Sequence, residues 1–274
     1  MLRLFWRGGA EQAEFLRTLE PVVVMGRGHS GTRVLSWICA HLGVRMGAGE
    51  EHFTGDPDDE AFTDRIEVIA ARNLGVNSLA AVQAGDLRRF QSAAAAYFRR
   101  LTPPTQRWGW KFPETYLVAP YVVKAFPRAK LLHLVRDGRD LAFKTHLTDN
   151  PRKKLGRAVL AECGAMDLPR HLQAASSWAY QVDRFDAFRR ELADSQVFDV
   201  RFEDLCVAPV EWTEKLCGFL GLPMTERCRQ YLTSEINPRN VGQYRNESAA
   251  LVREVEQRTG GTLKRHGYVP QAEG

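Results

Sequence analysis

The chain has 274 residues, of which 44% are hydrophobic and 26% are charged, and its formal net charge is +5. This composition is that of a soluble globular protein, and the length suffices for the core of a single α/β domain. No apolar run approaches the ~20 residues of a membrane span. The small net charge argues against nucleic-acid binding but suits a small polyanionic ligand.

Cysteines, histidines and the first residues set further bounds. Charged side chains interrupt the first twenty residues, so this stretch lacks the apolar centre of a signal peptide. The five cysteines are scattered and form no CxxC pair, which favours reduced thiols and a cytoplasmic location. The seven histidines show no ligand spacing, so we expect no protein-built metal site.

A strand, a glycine-rich turn and a helix are predicted near the start of the chain. The apolar β-branched run at residues 22–24 is typical of a strand covered on both faces. Gly26, Gly28 and Gly31 then allow a tight turn. Apolar residues at helical spacing predict a following helix that ends at Gly43. The free backbone N–H groups at such a helix start form an anion site.

This turn differs from the Walker A loop of ATP-binding proteins. The spacing Gly26-x4-Gly31 fits, but Thr32-Arg33 stands where Lys-Ser or Lys-Thr is required. The loop is therefore predicted to bind a phosphate-like group other than Mg-ATP. The alternative is an ordinary strand–turn–helix in which Ser30 caps the helix.

The rest of the chain alternates strands with helices. We predict a polar loop at 46–60, mainly helical structure at 62–98 with a break near Gly75, a strand at 108–111, a helix at 116–126, a strand at 130–135, a turn into a helix at 136–146, a mobile loop at 148–164, a long helix with one apolar face at 168–185, a strand at 196–201 and a helix at 212–220.

This alternation predicts one α/β domain over residues 1–274, in which a central parallel sheet is flanked by helices. Its core is expected at about 20–245, with a C-terminal helical, cofactor-closing segment at about 237–270. In such sheets ligands lie at the carboxyl ends of the strands, where the loops at 26–33 and 136–144 fall.

Four stretches resemble those of a known family and follow one another in the same order along the chain. They are Gly28-His29-Ser30-Gly31-Thr32-Arg33, Trp110-Lys111-Phe112-Pro113-Glu114, the strand and turn at 126–140, and the segment at 200–223. Together they resemble the sulfotransferases that use 3′-phosphoadenosine 5′-phosphosulfate (PAPS), closer to the carbohydrate-type and bacterial branch. The first stretch is similar to the 5′-phosphosulfate loop and the third to the 3′-phosphate site. The resemblance implies a P-loop-NTPase-like sulfotransferase fold.

The resemblance also implies a cofactor site. PAPS would be the sulfuryl donor and 3′-phosphoadenosine 5′-phosphate (PAP) the product, with no metal. Arginines suit its separated phosphates because they bind them bidentately. The implied cofactor-binding residues are Arg27, Gly28, His29, Ser30, Gly31, Thr32, Arg33, Arg136, Arg139, Lys144, Tyr244 and Arg245. The alternative for the two arginines at 136 and 139 is salt bridging with Asp137 or Asp140.

Two positions depart from the family pattern. His29 stands where the family commonly has Lys or Arg against the bridging oxygen of the leaving phosphate. With an ordinary pKa this histidine is mostly neutral at pH 7, although a nearby phosphate should raise its pKa. Lys144 stands where the family has a serine that binds the 3′-phosphate, and it can serve there as a point charge.

The implied mechanism is an in-line displacement that needs cations and a base. Cations stabilise the charge on the leaving phosphate, and the candidates are Lys111, His29 and Arg33. A general base must take the proton of the acceptor. Gly49-Glu50-Glu51-His52-Phe53 resembles the Glu-x-His-Phe segment of carbohydrate sulfotransferases, which implies Glu50 as the base, with His52 as the alternative. A solvated loop carboxylate is the other interpretation of Glu50, and a surface lysine that of Lys111.

We therefore expect a cytoplasmic PAPS-dependent sulfotransferase that acts on a hydroxyl, or less readily an amine, of a small-molecule or saccharide acceptor. The alternatives are a P-loop small-molecule kinase and a catalytically inactive nucleotide-binding protein. The sequence leaves the acceptor and the oligomeric state open. Acidic residues at 50–60 favour a cationic or polyhydroxyl acceptor, whereas the basic residues at 152–157 favour an anionic one.

Overall fold

Five parallel strands form the centre of the protein in a computed structural model that describes residues 9–47, 59–101, 107–236 and 238–268. They run in the order β2-β3-β1-β4-β5. Their bounds are β1 Val22–Met25, β2 Arg45–Met46, β3 Trp108–Lys111, β4 Lys130–Val135 and β5 Val197–Arg201. The predicted α/β class with a central parallel sheet is confirmed.

Helices cover both faces of the sheet. They are α1 Gly9–Thr18, α2 Thr32–His41, α3 Glu60–Arg72, α4 Ala84–Arg100, α5 Ala119–Ala125, α6 Gly138–Ala142, α7 Lys154–Glu162, α8 Arg170–Arg189, α9 Phe202–Val207, α10 Pro209–Leu220, α11 Glu226–Ser234 and α12 Ala249–Arg265. Short 3₁₀ turns lie at Pro113–Val118, Leu147–Asp149, Asp194–Gln196, Pro238–Asn240 and Gln243–Asn246.

The continuous apolar run of β1 is explained by burial on both sides. Val23 and Met25 belong to one hydrophobic cluster, whereas Val22 and Val24 belong to the other. Successive side chains of a strand point to opposite faces, so a central strand covered by helices on both faces needs apolar residues at every position.

One predicted element is wrong. The segment at 148–164, predicted as a mobile loop because of Pro151 and Gly156, contains helix α7. Pro151 precedes this helix, and Gly156 lets it approach the carbonyls of Leu147 and Asn150, where a Cβ would collide. The buried residues Leu155, Val159 and Leu160 anchor the helix in the core.

Several other predicted element boundaries differ from those in the structure, but the architecture is the predicted one. The strands predicted at 108–111 and 130–135 have those bounds in the structure. The helix predicted within 136–146 is limited to the five residues of α6, and the one predicted at 116–126 is divided between a 3₁₀ turn and α5. Met46, predicted in a polar loop, belongs to β2.

Strand order places the candidate site at the carboxyl edge beside β1. The chain leaves β1 toward β2 and β3 on one side and reaches β4 on the other, so the strand order reverses at β1. Ligands of open α/β sheets bind in the crevice at such a point. The register aligns Val24 of β1 with Lys111 of β3, which brings that lysine beside the loop that follows β1.

Membrane-spanning helices and metal-binding clusters are both absent from the residues that the structure describes. None of the helices in these ranges combines the length and apolar character required to cross a bilayer. The same residues contain no group of three or more His, Cys, Asp or Glu side chains arranged to hold a metal ion. All five cysteines are free.

Candidate active site

The loop between β1 and α2 forms a helix start open to an anion. Gly31 has a left-handed conformation (φ +98°) that favours glycine, and it lacks a side chain that could cap the helix. Its carbonyl accepts from the N–H of Val34 at 2.9 Å, which begins the helical hydrogen-bond series. The preceding N–H groups of Thr32 and Arg33 lie in the first turn, where no intrahelical acceptor exists. The loop therefore presents donors and the positive end of the α2 dipole.

Two rings enclose this loop and explain its glycines. A Cβ at Gly28 would collide with the imidazole of His146, and one at Gly31 would collide with the ring of Phe202. Ser30 and Thr32 are buried as well, at 1% and 4% exposed. The loop is thus fixed by packing, and a fixed loop keeps its N–H groups aligned before a ligand arrives.

Arg27 fixes the same loop from its buried side. Its side chain and that of Asp149 are fully buried and form an ion pair. The guanidinium also donates to the carbonyls of Gly28, at 2.9 Å, and of Lys144, at 3.1 Å. Burial lowers the pKa of Arg27, while the charge and hydrogen bond of Asp149 oppose this shift. The Arg27 side chain connects the loop to residues 144–149, so it would have to leave this pair to contact a cofactor.

His29 is neutral and has one defined tautomer. It has φ +70°, an uncommon value for a residue other than glycine. Its Nε2 lies 3.0 Å from the carbonyl oxygen of Thr145, which can only accept, so Nε2 carries the proton. Burial and then the charges of Arg27 and Lys144 lower the pKa of His29. With its pKa below the ordinary value of 6.5, this imidazole is mostly neutral at pH 7.

Arg136 lies between the loop and a late segment of the chain. Its Nε and Nη2 donate to Asp140 Oδ2, at 3.3 and 2.9 Å. Nη1 donates to the carbonyl of His29 at 3.1 Å, and Nη2 also contacts the carbonyl of Asn240. The guanidinium stacks over the ring of Phe202 at 4.7 Å. Neutral carbonyls hold part of this guanidinium, and a phosphate could replace them with a stronger, charge-assisted bond.

Arg139, Tyr244 and Arg245 are brought together at a neighbouring cavity of about 260 Å³. The guanidinium of Arg139 binds Asp137 Oδ2 and Glu256 Oε1, each at 2.7 Å, and lies over the Tyr244 ring at 4.3 Å. Burial alone would lower the pKa of Arg139, but its two carboxylate partners raise it. Arg245 is exposed, and its guanidinium carbon lies 5.3 Å from the centre of the Tyr244 ring.

Asp140 connects these two groups. Its carboxylate accepts from Arg136 and from the backbone N–H groups of Gly242 and Tyr244, each at 3.0 Å. The salt bridges proposed as the alternative roles of Arg136 and Arg139 therefore exist. Lys144 is exposed and lines a separate cavity of about 390 Å³.

The cleft above the loop has a volume of about 510 Å³. Lys111, at 4% exposed, lines it from the end of β3, and Arg33 and Thr32 line it from the start of α2. Glu114 and His146 line the same cleft. Its walls are formed by Gly28, His29, Gly31, Thr32, Arg33, Lys111, Phe112, Pro113, Glu114, His146 and Leu147.

The electrostatics of the cleft favour an anion. Burial is the largest cause that lowers the pKa of His146 to about 3, and the charges of Arg27 and Lys111 lower it further. These two charges, which oppose a proton on His146, attract negative charge to the same place. The predicted base candidates Glu50 and His52 lie outside the described residues.

These features agree with a comparison against known families. A profile described as the sulfotransferase family matches residues 21–226. The chain belongs to the sulfotransferase family. This confirms both the family resemblance and the enzyme class predicted from the sequence. The matched range includes the loop after β1, Lys111 and Arg136.

Individual relatives of this sulfotransferase are distant. A protein-tyrosine sulfotransferase of Drosophila melanogaster is 27% identical over 154 residues, which cover 54% of this chain and 29% of that protein. The chain thus spans under a third of the length of this relative. Sulfotransferase STF9 from Mycobacterium avium has a TM-score of 0.57 at 14% identity, covering 96% of this chain and 81% of its own. Mouse sulfotransferase SULT7A1 complexed with PAP has a TM-score of 0.51 at 13% identity, covering 93% and 89%. Both structures share the fold.

The sequence analysis assigns no role to three side chains that the structure brings to this sulfotransferase site. They are Glu114, His146 and Asp149. Glu114 follows the Lys-x-Pro segment, so its position near Lys111 was visible in the sequence. His146 and Asp149 carry no such signal, because Glu114 and Arg27, which they meet, lie on separate elements.

Proposed function

We propose that this member of the sulfotransferase family transfers the sulfuryl group of PAPS to a hydroxyl, or less readily to an amine. The observation that carries the proposal is the rigid helix start after β1, with buried Lys111 facing it across the cleft. Backbone donors and a desolvated cation at one place are the groups that stabilise charge on a leaving phosphate.

Lys111 is the main side-chain cation of this proposal. Because it is only 4% exposed, water screens its charge little, and its effect on a nearby anion is larger than that of a surface lysine. Loss of a donor of this type costs a factor of about 10²–10³ in rate. Arg33 is exposed on α2 and can add charge from the rim of the cleft.

The residues fit the two charged ends of PAPS, which supplies the sulfuryl group. The loop after β1 and Lys111 suit the 5′-phosphosulfate, and Arg136 suits the 3′-phosphate. Arg136 is held by Asp140 in an orientation in which two backbone carbonyls occupy its Nη atoms. His29 can join as a cation only after gaining a proton, which a bound phosphate would favour.

The base and the acceptor remain parts of the proposal. Glu50, with His52 as the alternative, is implied as the base by the family resemblance alone. A small molecule or saccharide is the expected acceptor class, and the name of the Drosophila relative adds a peptide tyrosine to those that should be tested.

Ligand-dependent stability provides the first test. We expect PAP to raise the melting temperature of the protein in EDTA, and ATP with magnesium to leave it unchanged. At a PAP concentration 100 times its dissociation constant, the stabilisation is about 2.7 kcal/mol. For a chain of 274 residues this corresponds to roughly 4–5 °C. Lys111→Met should reduce the shift, whereas Lys215→Met on the exposed side of α10 should not.

Transfer of label from ³⁵S-PAPS to a panel of phenols, saccharides and tyrosyl peptides provides the second test. Stabilisation by ATP and magnesium but not by PAP would instead support a small-molecule kinase. PAP binding without transfer to any acceptor would support an inactive nucleotide-binding protein.

A further inference from the structure

A buried carboxylate lines the cleft above the loop that follows β1. Glu114 is the second residue of the 3₁₀ turn that follows β3, and it is only 1% exposed. It lines the cleft together with Lys111 and His146. Among the described residues that line this cleft, it is the only carboxylate. Because charged carboxylates are rarely buried without a partner, its surroundings need an explanation.

A chain of hydrogen bonds positions the neighbour of this carboxylate. Gln181 donates to the hydroxyl oxygen of Thr148 at 3.2 Å. That hydroxyl lies 3.0 Å from Nδ1 of His146, and the backbone N–H of Thr148 donates to the same nitrogen at 3.4 Å. Nδ1 is therefore an acceptor, and the single proton of the neutral ring is on Nε2.

The protonated nitrogen is the one near Glu114. Nε2 of His146 lies 3.4 Å from Oε1 of the carboxylate. The ring itself cannot turn freely, because it packs against Gly28 and stands edge-on to His29 at 5.8 Å. His146 thus places its protonated nitrogen beside Oε1, within ion-pair distance but without forming a hydrogen bond to it, and its fixed ring limits the carboxylate on that side.

Cations face the same carboxylate from two other elements. Lys111 comes from β3, and Arg27 comes from the loop after β1. His146, from the segment after α6, stays neutral because burial and the adjacent positive charges lower its pKa to about 3. A carboxylate that faces cations and lines the cleft is placed to accept a proton from an acceptor hydroxyl.

We propose that Glu114 is a catalytic general base of this enzyme, with His146 as its positioning residue. The inference rests on the proposed sulfotransferase function. The O–H bond of the acceptor breaks and its proton passes to the Glu114 carboxylate, while the acceptor oxygen forms a bond to sulfur. The bond between sulfur and the bridging oxygen breaks, and its electron pair leaves with the phosphate, whose charge Lys111 and the loop N–H groups stabilise.

The test uses acceptors that differ in acidity. Transfer from ³⁵S-PAPS is measured with p-cresol, which needs a base, and with p-nitrophenol, which ionises readily. The release of free sulfate is measured as well, because water is a third acceptor that is always present. Glu114→Gln should lower the rate of transfer to p-cresol by about 10²–10⁴-fold. The fold-loss for p-nitrophenol should be at least ten times smaller than the fold-loss for p-cresol. The acid limb of the pH–rate profile should disappear.

PAP-induced stabilisation should be the same in Glu114→Gln as in the natural chain, which separates this inference from the proposed function. Failure of the natural chain to bind PAP or to transfer label would contradict the proposed function instead. If Glu114→Gln does not fold, Glu114→Asp should fold and keep the acid limb at a reduced rate. Glu211→Gln on α10 is the matched surface control.

Two results would overturn the inference. One is a Glu114→Gln variant that transfers to p-cresol at a rate within threefold of the natural chain and keeps the acid limb of the pH–rate profile. That result would be stronger still if Glu50→Gln or His52→Gln abolished both the transfer and the acid limb. The other is an equal loss for both phenols, because a purely structural carboxylate would not respond to the acidity of the acceptor.

Discussion

Asp149→Asn should destabilise the protein strongly, because it leaves Arg27 charged and buried. Both side chains of this pair are fully buried. The carboxylate also accepts from Arg170 Nη2 at 3.0 Å and from the backbone N–H of His146 at 3.1 Å. Asparagine keeps the shape and one acceptor oxygen but removes the charge that compensates the guanidinium.

The size of the effect follows from burial. Removing one partner of a buried ion pair costs about 3–5 kcal/mol, whereas exposed pairs contribute about 0–1 kcal/mol. An unfolding entropy of about 2.1 cal/mol/K per residue over 274 residues gives roughly 0.6 kcal/mol/K. The melting temperature should therefore fall by about 5–9 °C.

Chemical denaturation and scanning calorimetry measure this change. The matched control is Glu211→Gln, which breaks the exposed pair between Glu211 and Lys215 on α10 and should cost under about 0.5 kcal/mol. The double variant with Arg27→Met and Asp149→Asn should lose less free energy of unfolding than the two single variants together. The reason is that Arg27→Met removes the charge that Asp149→Asn leaves uncompensated.

A loss below 1 kcal/mol for Asp149→Asn, similar to that of the surface control, would refute the reasoning. Additive losses in the double variant would refute it too, because they would show that the two side chains do not interact in the folded protein.

Three further predictions concern the cleft. His146 has a pKa of about 3 when folded against an ordinary 6.5, so between these values only the unfolded chain binds its proton. Stability should fall with decreasing pH by up to about 1.4 kcal/mol per pH unit, and denaturation of His146→Gln between pH 6 and 4 should show a flatter slope; an unchanged slope would argue against it. Gly28→Ala should cost about 1–3 kcal/mol and weaken PAP binding through collision with the His146 ring, whereas Gly218→Ala, in open space on α10, should be neutral or stabilising in the same melts. Arg136→Lys loses the planar fork that Asp140 orients, so calorimetric titration should show at least about tenfold weaker PAP binding; equal affinity would exclude Arg136 from the phosphate site.

Local sequence patterns were sufficient for the elements that surround the loop. The apolar run of β1, the glycines after it and the apolar spacing of α2 are properties of adjacent residues. The strands β3 and β4 follow from equally local runs. Alternation of strands and helices then limits the arrangement to a parallel sheet with ligands at its carboxyl edge.

Breaker residues were the weak point of that reasoning. Pro151 and Gly156 suggested a loop at 148–164, but the structure has helix α7 there. Proline is tolerated before a helix, and glycine within it allows close contact with the Leu147 and Asn150 carbonyls. Tertiary contact overrode local propensity because the buried face of α7 stabilises it.

The sequence by itself determined a strand, a glycine-rich turn and a helix start at Thr32, and it placed the chain in the sulfotransferase family. Tertiary structure alone decided which charged side chains face the cleft. Arg27, in the middle of the loop, turns inward to Asp149, which lies 122 residues away, and burial beside Arg27 and Lys144 lowers the pKa of His29. Residue type gives a charge and its donors, but the partner, the burial and therefore the pKa depend on elements that meet only in the folded protein.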